Sequence, residues 1–315
     1  ADDLATFSTK DMAAIGSLAV DGLSTDVIAT LSTAQIAALS TIAITGLSTK
    51  QIDALTTAQV EALGTGQVAV LNSTQLAVLS PEDIATFATK DIAAISAGAM
   101  SGLSTAAIGA LTSAQVAALT TSGIGGMSTK QVAALAVAQF AAMNTTQIAA
   151  LSSAQIGVIA TSTLATLSTS QVAALGASTV TGLTSNQMDA LNSGQVEALT
   201  TSQVASLSSA QLAMLTSQDI ASFSTADIAA IGSAAIGGLS TAVIASLSTA
   251  QIAALTAAGI GGLRTTQVMA LTTDQVAVLR TTQIAALSST QIAVLTTDEI
   301  ALLSTGQIAA LSAGG

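Results

Sequence analysis

The chain has 315 residues, of which half are apolar and 7% are charged, and its formal net charge at pH 7 is −11. It contains no His, Cys, Trp or Tyr. This excludes Ser-His-Asp and Cys-His nucleophile systems, thiolate and imidazole metal sites, and aromatic platforms for stacking bases. Six basic residues against 17 acidic ones are too few for contacts to a phosphate backbone, so we expect no nucleic-acid partner.

From Ser8 to Leu311 the chain consists of 38 consecutive octapeptides without insertion or deletion. Position 1 of these octads is mostly Ser, Thr or Asn, while positions 5 and 8 are always large and apolar. Position 4 is Gln in 21 octads, Asp in five and Glu in one. Ser or Thr followed three residues later by Gln or an acid is typical of a capping box at a helix N-terminus. Each octad therefore predicts the start of a helix.

Two octads illustrate the predicted element in chain order. Pro81 follows Ser80, and it stands at the first helical position, where proline is favoured. Further along, Ser248 is the expected N-cap of an octad in which Gln251 completes the box. Leu247 and Ile252 flank that cap as a hydrophobic staple.

The octads are predicted to form separate short helices rather than one long helix. An eight-residue period would need 4.0 residues per turn against 3.6 for an α-helix, so a continuous apolar stripe would drift around the axis. The alternative fold is a β-solenoid with two octads per coil. Ala dominates positions 6 and 7 and is depleted in strands, and no alternation of period two is present, so the sequence favours helices.

An isolated octad cannot bury enough apolar surface to offset the entropy of ordering eight residues. The octads must stack on one another, which predicts an all-α solenoid or superhelical rod of very short capped helices. Because no linker or change of composition interrupts the pattern, residues 1–315 are expected to form a single continuous array, of which residues 8–311 are the octads.

A subset of octads, here called the Gly octads, has Gly at position 7 and lacks Gln, Asp or Glu at position 4. One interpretation is a place where backbones pack closely or a short helix gives way to a turn. The other is a recognition surface or subunit contact. The seven position-7 residues are Gly22, Gly46, Gly102, Gly126, Gly182, Gly238 and Gly262.

The position-4 Gln residues also allow two interpretations. As caps they would saturate exposed helix amides, and this role alone explains the pattern. As a ladder along a solenoid they would bond to one another or to a partner strand of the array. Repeated Thr residues further suggest hydroxyl rows that order water, as in ice-binding solenoids, although no strict Thr-x-Thr column runs through the chain.

The octads, for example Ser32–Leu39 and Arg280–Leu287, resemble the Leu-Ser/Thr-Thr-x-Gln-Ile-Ala-Ala-Leu repeats of large adhesin-like proteobacterial exoproteins. The resemblance covers nearly every octad. It implies a secreted or cell-surface location and a structural or adhesive role, and it supplies no catalytic residues.

The sequence as a whole predicts a non-enzymatic extracellular structural protein that is a subunit or segment of a surface filament, stalk or layer. We expect no catalytic, cofactor-binding or metal-binding residues, no cofactor, no transmembrane segment and self-association into a filament or layer. The alternative function is a binding module on the repeat scaffold, which adheres to a glycan or surface or binds ice.

Overall fold

A computed structural model describes residues 6–314 of the chain, with side chains for residues 6–311. This part of the chain contains 38 short helices and no strand, one helix in each octad, which confirms the predicted all-α repeat fold and removes the β-solenoid alternative. The helices have four to six residues, except for the last, which has ten. The chain divides into two compact units, Ala1–Leu151 and Ser152–Gly315.

The first unit contains helices α1 to α18, whose bounds are α1 Thr9–Ala13, α2 Ser17–Asp21, α3 Thr25–Thr30, α4 Thr33–Ala38, α5 Thr41–Gly46, α6 Thr49–Asp53, α7 Thr57–Glu61, α8 Thr65–Ala69, α9 Ser73–Leu76, α10 Pro81–Thr86, α11 Thr89–Ala94, α12 Ala97–Met100, α13 Thr105–Ala110, α14 Ser113–Ala118, α15 Thr121–Gly126, α16 Thr129–Ala133, α17 Val137–Ala141 and α18 Thr145–Ala149.

The second unit contains helices α19 to α38, whose bounds are α19 Ser153–Ile156, α20 Thr161–Leu164, α21 Thr169–Ala174, α22 Ala177–Val180, α23 Ser185–Asp189, α24 Ser193–Glu197, α25 Thr201–Ser206, α26 Ser209–Leu212, α27 Ser217–Ser222, α28 Thr225–Ala230, α29 Ser233–Ile236, α30 Thr241–Ser246, α31 Thr249–Ala254, α32 Ala257–Gly261, α33 Thr265–Val268, α34 Thr273–Ala277, α35 Thr281–Ile284, α36 Ser289–Ile292, α37 Thr297–Ala301 and α38 Thr305–Gly314.

Each helix begins at a cap and ends after one or two turns. In α6, the Ser48 hydroxyl accepts from the backbone N–H of Gln51, and the Gln51 side chain accepts from the backbone N–H of Ser48 at 2.8 Å. This reciprocal pair is the predicted capping box, and it recurs in most octads that carry Gln or an acid at position 4. Pro81 occupies the first turn of α10 as predicted.

The chain turns between helices at two extended residues. Leu39 at position 8 has φ −58° and ψ 136°, and Ser40 at the next position 1 has φ −66° and ψ 156°. The Leu39 N–H donates to the carbonyl of Ile36 at 3.1 Å, so the corner remains hydrogen-bonded. No described residue has a positive φ, so the corners form without any left-handed backbone.

Helices three octads apart pack against each other within each unit, for example α2 with α5 and α10 with α13 in the first unit and α25 with α28 in the second. The apolar residues at positions 5 and 8 form the core between them. Ile252 is fully buried and Leu247 is 4% exposed, as the staple predicts. Each unit is therefore a helical repeat solenoid, whereas a single array over residues 1–315 stays a prediction.

Candidate functional site

The position-4 glutamines are buried, although their capping role places them at helix N-termini. Gln283 is 0% exposed and Gln195 is 1% exposed. A Gln side chain has an oxygen that accepts and an NH₂ group that donates twice, and in this fold both ends are occupied.

The donating end of each such glutamine reaches the previous turn of the solenoid. The Nε2 of Gln51 donates to the carbonyl of Val20 at 2.8 Å and to that of Leu23 at 2.7 Å, which are 31 and 28 residues earlier. These carbonyls belong to positions 5 and 8 of the octad four places earlier. In the second unit, Gln187 bonds in the same way to Ile156 and Ile159.

We call this series of side chains the glutamine column. Its members share a capping Oε1 and an Nε2 that donates to carbonyls of the octad four places earlier. Because helices pack three octads apart while these bonds span four, one turn of the solenoid takes between three and four octads. The members with both contacts in the first unit are Gln51, Gln59, Gln67, Gln75, Gln115, Gln131, Gln139 and Gln147, and those in the second are Gln187, Gln195, Gln203, Gln211, Gln251, Gln267, Gln275, Gln283 and Gln291.

The column changes the interpretation of position 4 drawn from sequence. The capping role is confirmed, but a cap for exposed amides is only half of the function of these residues. The second interpretation holds in part, because the Gln residues bond to the backbone of the neighbouring turn. The signal was present in the sequence: an acid caps as well as Gln, yet only Gln carries a donor, and Gln fills 21 of the 27 capping positions.

The Gly octads mark close backbone contacts. A Cβ built on Gly46 would lie 2.5 Å from the carbonyl oxygen of Ser17, and a Cβ on Gly102 would overlap that of Ser73. Ser17 and Ser73 each lie 29 residues before the glycine that they contact. Each is the first residue of the helix in the octad three places earlier. The interpretation of close packing is thereby confirmed. Four further Gly residues make the equivalent contact with Ala97, Ser153, Ser209 and Ser233: Gly126, Gly182, Gly238 and Gly262.

Gly22 differs from the other Gly octads. A Cβ built there would meet only the carbonyls of its own helix, at 3.5 Å from Ala19 and 3.9 Å from Leu18. Within the described residues, this glycine therefore has no close neighbour on another turn.

The outer surface consists mainly of positions 1, 2, 3 and 6, which carry Ser, Thr and Ala. Position-1 hydroxyls are engaged in capping, as for Ser48, whose Oγ donates to Gln51 Oε1 at 2.9 Å. Position-2 hydroxyls face the next turn instead. Ser113 Oγ donates to the Ala138 carbonyl at 3.3 Å, and Ser185 Oγ to that of Ala210 at 3.5 Å, both across 25 residues. These hydroxyl groups thus bond to backbone carbonyls of the next turn.

Two carboxylates at position 4 take a hydroxyl partner from another turn. Asp91 accepts from the Thr65 hydroxyl at 2.5 Å, and Asp227 from the Thr201 hydroxyl at 2.6 Å. Burial opposes ionisation of Asp227, but hydrogen bonds from the Ser224 and Thr201 hydroxyls and the Ser224 backbone favour it and hold its pKa below the ordinary value. The Ser8 hydroxyl and backbone N–H likewise lower the pKa of Asp11.

The described residues enclose no pocket, and among them no group of three or more acids could hold a metal ion. No described helix combines the length and apolar character that crossing a membrane requires.

A few large apolar side chains are exposed to solvent. The largest exposed fraction is that of Leu18, at 90%, and Ile42 lies 24 residues later on the helix that packs against it.

The family model of the ALTTAQ repeat matches eight segments of the chain, residues 28–65, 84–121, 124–161, 188–225, 220–257, 228–265, 258–289 and 277–313. Residues 54–59 read Ala-Leu-Thr-Thr-Ala-Gln, and they join the buried end of one octad to the capping box of the next. No curated protein matches the chain. Since the matched segments together cover well over half of its length, the chain belongs to the ALTTAQ repeat family.

Proposed function

We propose that this chain is a non-enzymatic extracellular structural protein, a subunit or segment of a surface filament, stalk or layer. The observation that supports this most directly is the glutamine column. Where position 4 is Gln, as at Gln203, a buried side chain binds one turn to the previous one through two hydrogen bonds, in addition to the apolar core. Hydrogen bonds made in a buried, low-dielectric setting are difficult for water to replace.

A structural role makes use of such repetition. In a solenoid each repeat contacts only its neighbours, so stability is approximately a sum of local terms along the chain. The same bonds recur along most of each unit and are missing where four successive octads lack Gln at position 4, at residues 80–111 and 216–247. An adhesin-like surface protein of the kind that the octads resemble would have to bear mechanical load in this way.

Location and assembly can be tested on intact cells and on purified protein. We expect protease added to intact cells to remove the chain, and electron microscopy of the concentrated protein to show filaments or sheets. Protection from protease until the cells are lysed would exclude the extracellular location. Dispersed monomers at high concentration would exclude self-association.

The second candidate is a binding module for a glycan, a surface or ice. The Ser and Thr residues that recur at position 2 favour it, because hydroxyls repeated along an outer surface can hydrogen-bond to sugars or ordered water. Binding on a glycan array, adsorption to ice or thermal hysteresis would support this function. Absence of all three would leave the structural role.

A further inference from the structure

The chain contains four asparagines, and two of them begin the acceptor pattern for N-linked sugars, Asn-x-Ser/Thr. Asn72 is followed two residues later by Thr74, and Asn144 by Thr146. Asn192 is followed by Gly194 at the same distance and therefore lacks the hydroxyl. This difference provides a matched comparison within one chain, because Asn72, Asn144 and Asn192 all occupy position 1 of an octad.

Both candidate side chains are exposed and use only their oxygen for the fold. Asn72 Oδ1 accepts from the backbone N–H groups of Thr74 and Gln75, each at 3.0 Å, and from the Thr74 hydroxyl at 2.6 Å. Asn144 Oδ1 accepts from the Thr146 hydroxyl at 2.5 Å and from the Gln147 N–H at 3.0 Å.

The nitrogen atom Nδ2 of both residues donates no hydrogen bond within residues 6–311. Attachment of a sugar replaces one hydrogen of Nδ2 and leaves Oδ1 in place. The helix caps of α9 and α18 therefore remain intact when the side chain is modified. Position 1 is an outer position of the octad, so a bulky group there does not enter the core.

We propose that Asn72 and Asn144 are acceptor sites for N-linked sugars, an inference that rests on the proposed extracellular function, since such modification accompanies export and surface display. In the reaction, a bond forms between Nδ2 and C1 of the sugar. The bond from C1 to the phosphate oxygen of the activated sugar donor breaks, the phosphate keeps that electron pair, and Nδ2 loses one proton. The +2 hydroxyl of Thr74 or Thr146 distinguishes these two residues from Asn192.

The test directs the full chain into a eukaryotic secretory pathway, where N-glycosyl transfer is active irrespective of where the chain resides in its own cells. We expect mass spectrometry of the secreted protein to find sugar on Asn72 and Asn144 and none on Asn186 or Asn192. Chains that are bare at both predicted residues, while a control glycoprotein in the same cells is modified, would overturn the inference.

Matched variants separate a specific site from general modification. Thr74→Ala and Thr146→Ala should each remove one sugar, and Asn72→Asp should remove one while it keeps the capping oxygen. Gly194→Thr should add a third sugar at Asn192, because a Cβ at residue 194 lies at an ordinary 3.4 Å from Asn192 Oδ1. Sugar retained in both Ala variants would also overturn the inference. Because this assay does not depend on natural location, its failure is distinguishable from that of the proposed function, which the intact-cell protease experiment decides.

Discussion

The side-chain nitrogen of Gln203 donates to the carbonyl oxygen of Leu175 at 2.7 Å, while its Oε1 accepts from the backbone N–H of Thr200 at 2.6 Å. One buried side chain thus caps its own helix and binds the end of a helix in the preceding turn. Helix initiation and stacking of turns are therefore coupled in this fold, because the rotamer that caps is the rotamer that bridges.

The first prediction concerns this coupling. Gln203→Glu keeps the capping oxygen but replaces the donor with a charged oxygen that faces the carbonyls of Val172 and Leu175. We expect the free energy of unfolding at pH 7 to fall by about 2–4 kcal/mol, because two acceptors lose their donor and a carboxylate is buried. Urea denaturation measures the loss. Gln218→Glu, the same substitution at an exposed position, is the control and should change stability by less than about 0.5 kcal/mol.

The reverse substitution should stabilise the chain at Glu299. Its Oε2 accepts from the Thr296 backbone N–H at 2.7 Å, as a capping Gln does, but a carboxylate cannot donate to the preceding turn. Glu299→Gln supplies that donor, so we expect a gain of about 1 kcal/mol, the net value of an ordinary hydrogen bond. Hydrogen exchange at α33 and α37 should slow. Faster exchange there would contradict a bridging role for position 4, and Asp298→Asn on the exposed neighbour should leave it unchanged.

Much of this fold is predictable from the octad itself. The cap at Ser248, the buried pair Leu247 and Ile252, and Pro81 at a helix start all follow from local chemistry. The bonds across 28 and 31 residues could not be predicted, because a strictly periodic sequence is equally compatible with any whole-octad offset. That offset depends on the backbone φ and ψ angles of the corner residues at positions 8 and 1. No side chain of the repeat determines those angles by itself. The preference for Gln over Glu indicated a donor but not its acceptor.

The Gly octads give a steric prediction. Gly102→Ala places a Cβ on the carbonyl of Ser73, a backbone atom that cannot rotate away, so we expect a destabilisation of about 1–3 kcal/mol. Gly98→Ala in the same octad is the control, since its Cβ meets nothing within 4 Å. That substitution should stabilise the protein by up to about 1 kcal/mol, because Ala is the better helix former. Equal thermal midpoints for the two variants would show that the turns can move apart at this contact without a loss of stability.

The lowered pKa of Asp227 predicts a pH dependence. Since its folded pKa lies below the ordinary value of about 3.9, its contribution to stability is present above that value and is lost as pH falls through the folded pKa. Asp227→Asn removes the titration. The difference in urea midpoint between the wild type and this variant should therefore shrink as pH falls from about 6 to about 2. A difference that is independent of pH would show that the carboxylate is not stabilised by its hydrogen bonds from Ser224 and Thr201.

The core position can be tested at Ile252, which is fully buried between turns of the second unit. Ile252→Asp buries an unpaired charge and removes apolar contacts, so we expect a loss of at least about 3 kcal/mol in the free energy of unfolding. Met269→Asp in the same unit is the control, because that side chain is 65% exposed and carries little of the core. Since each turn contacts only its neighbours, hydrogen exchange should accelerate first in α28, α31 and α34, which pack in succession. Uniform acceleration across all helices of the unit would instead mean that the unit unfolds as one cooperative body, and unchanged exchange would mean that position 5 is not part of the core.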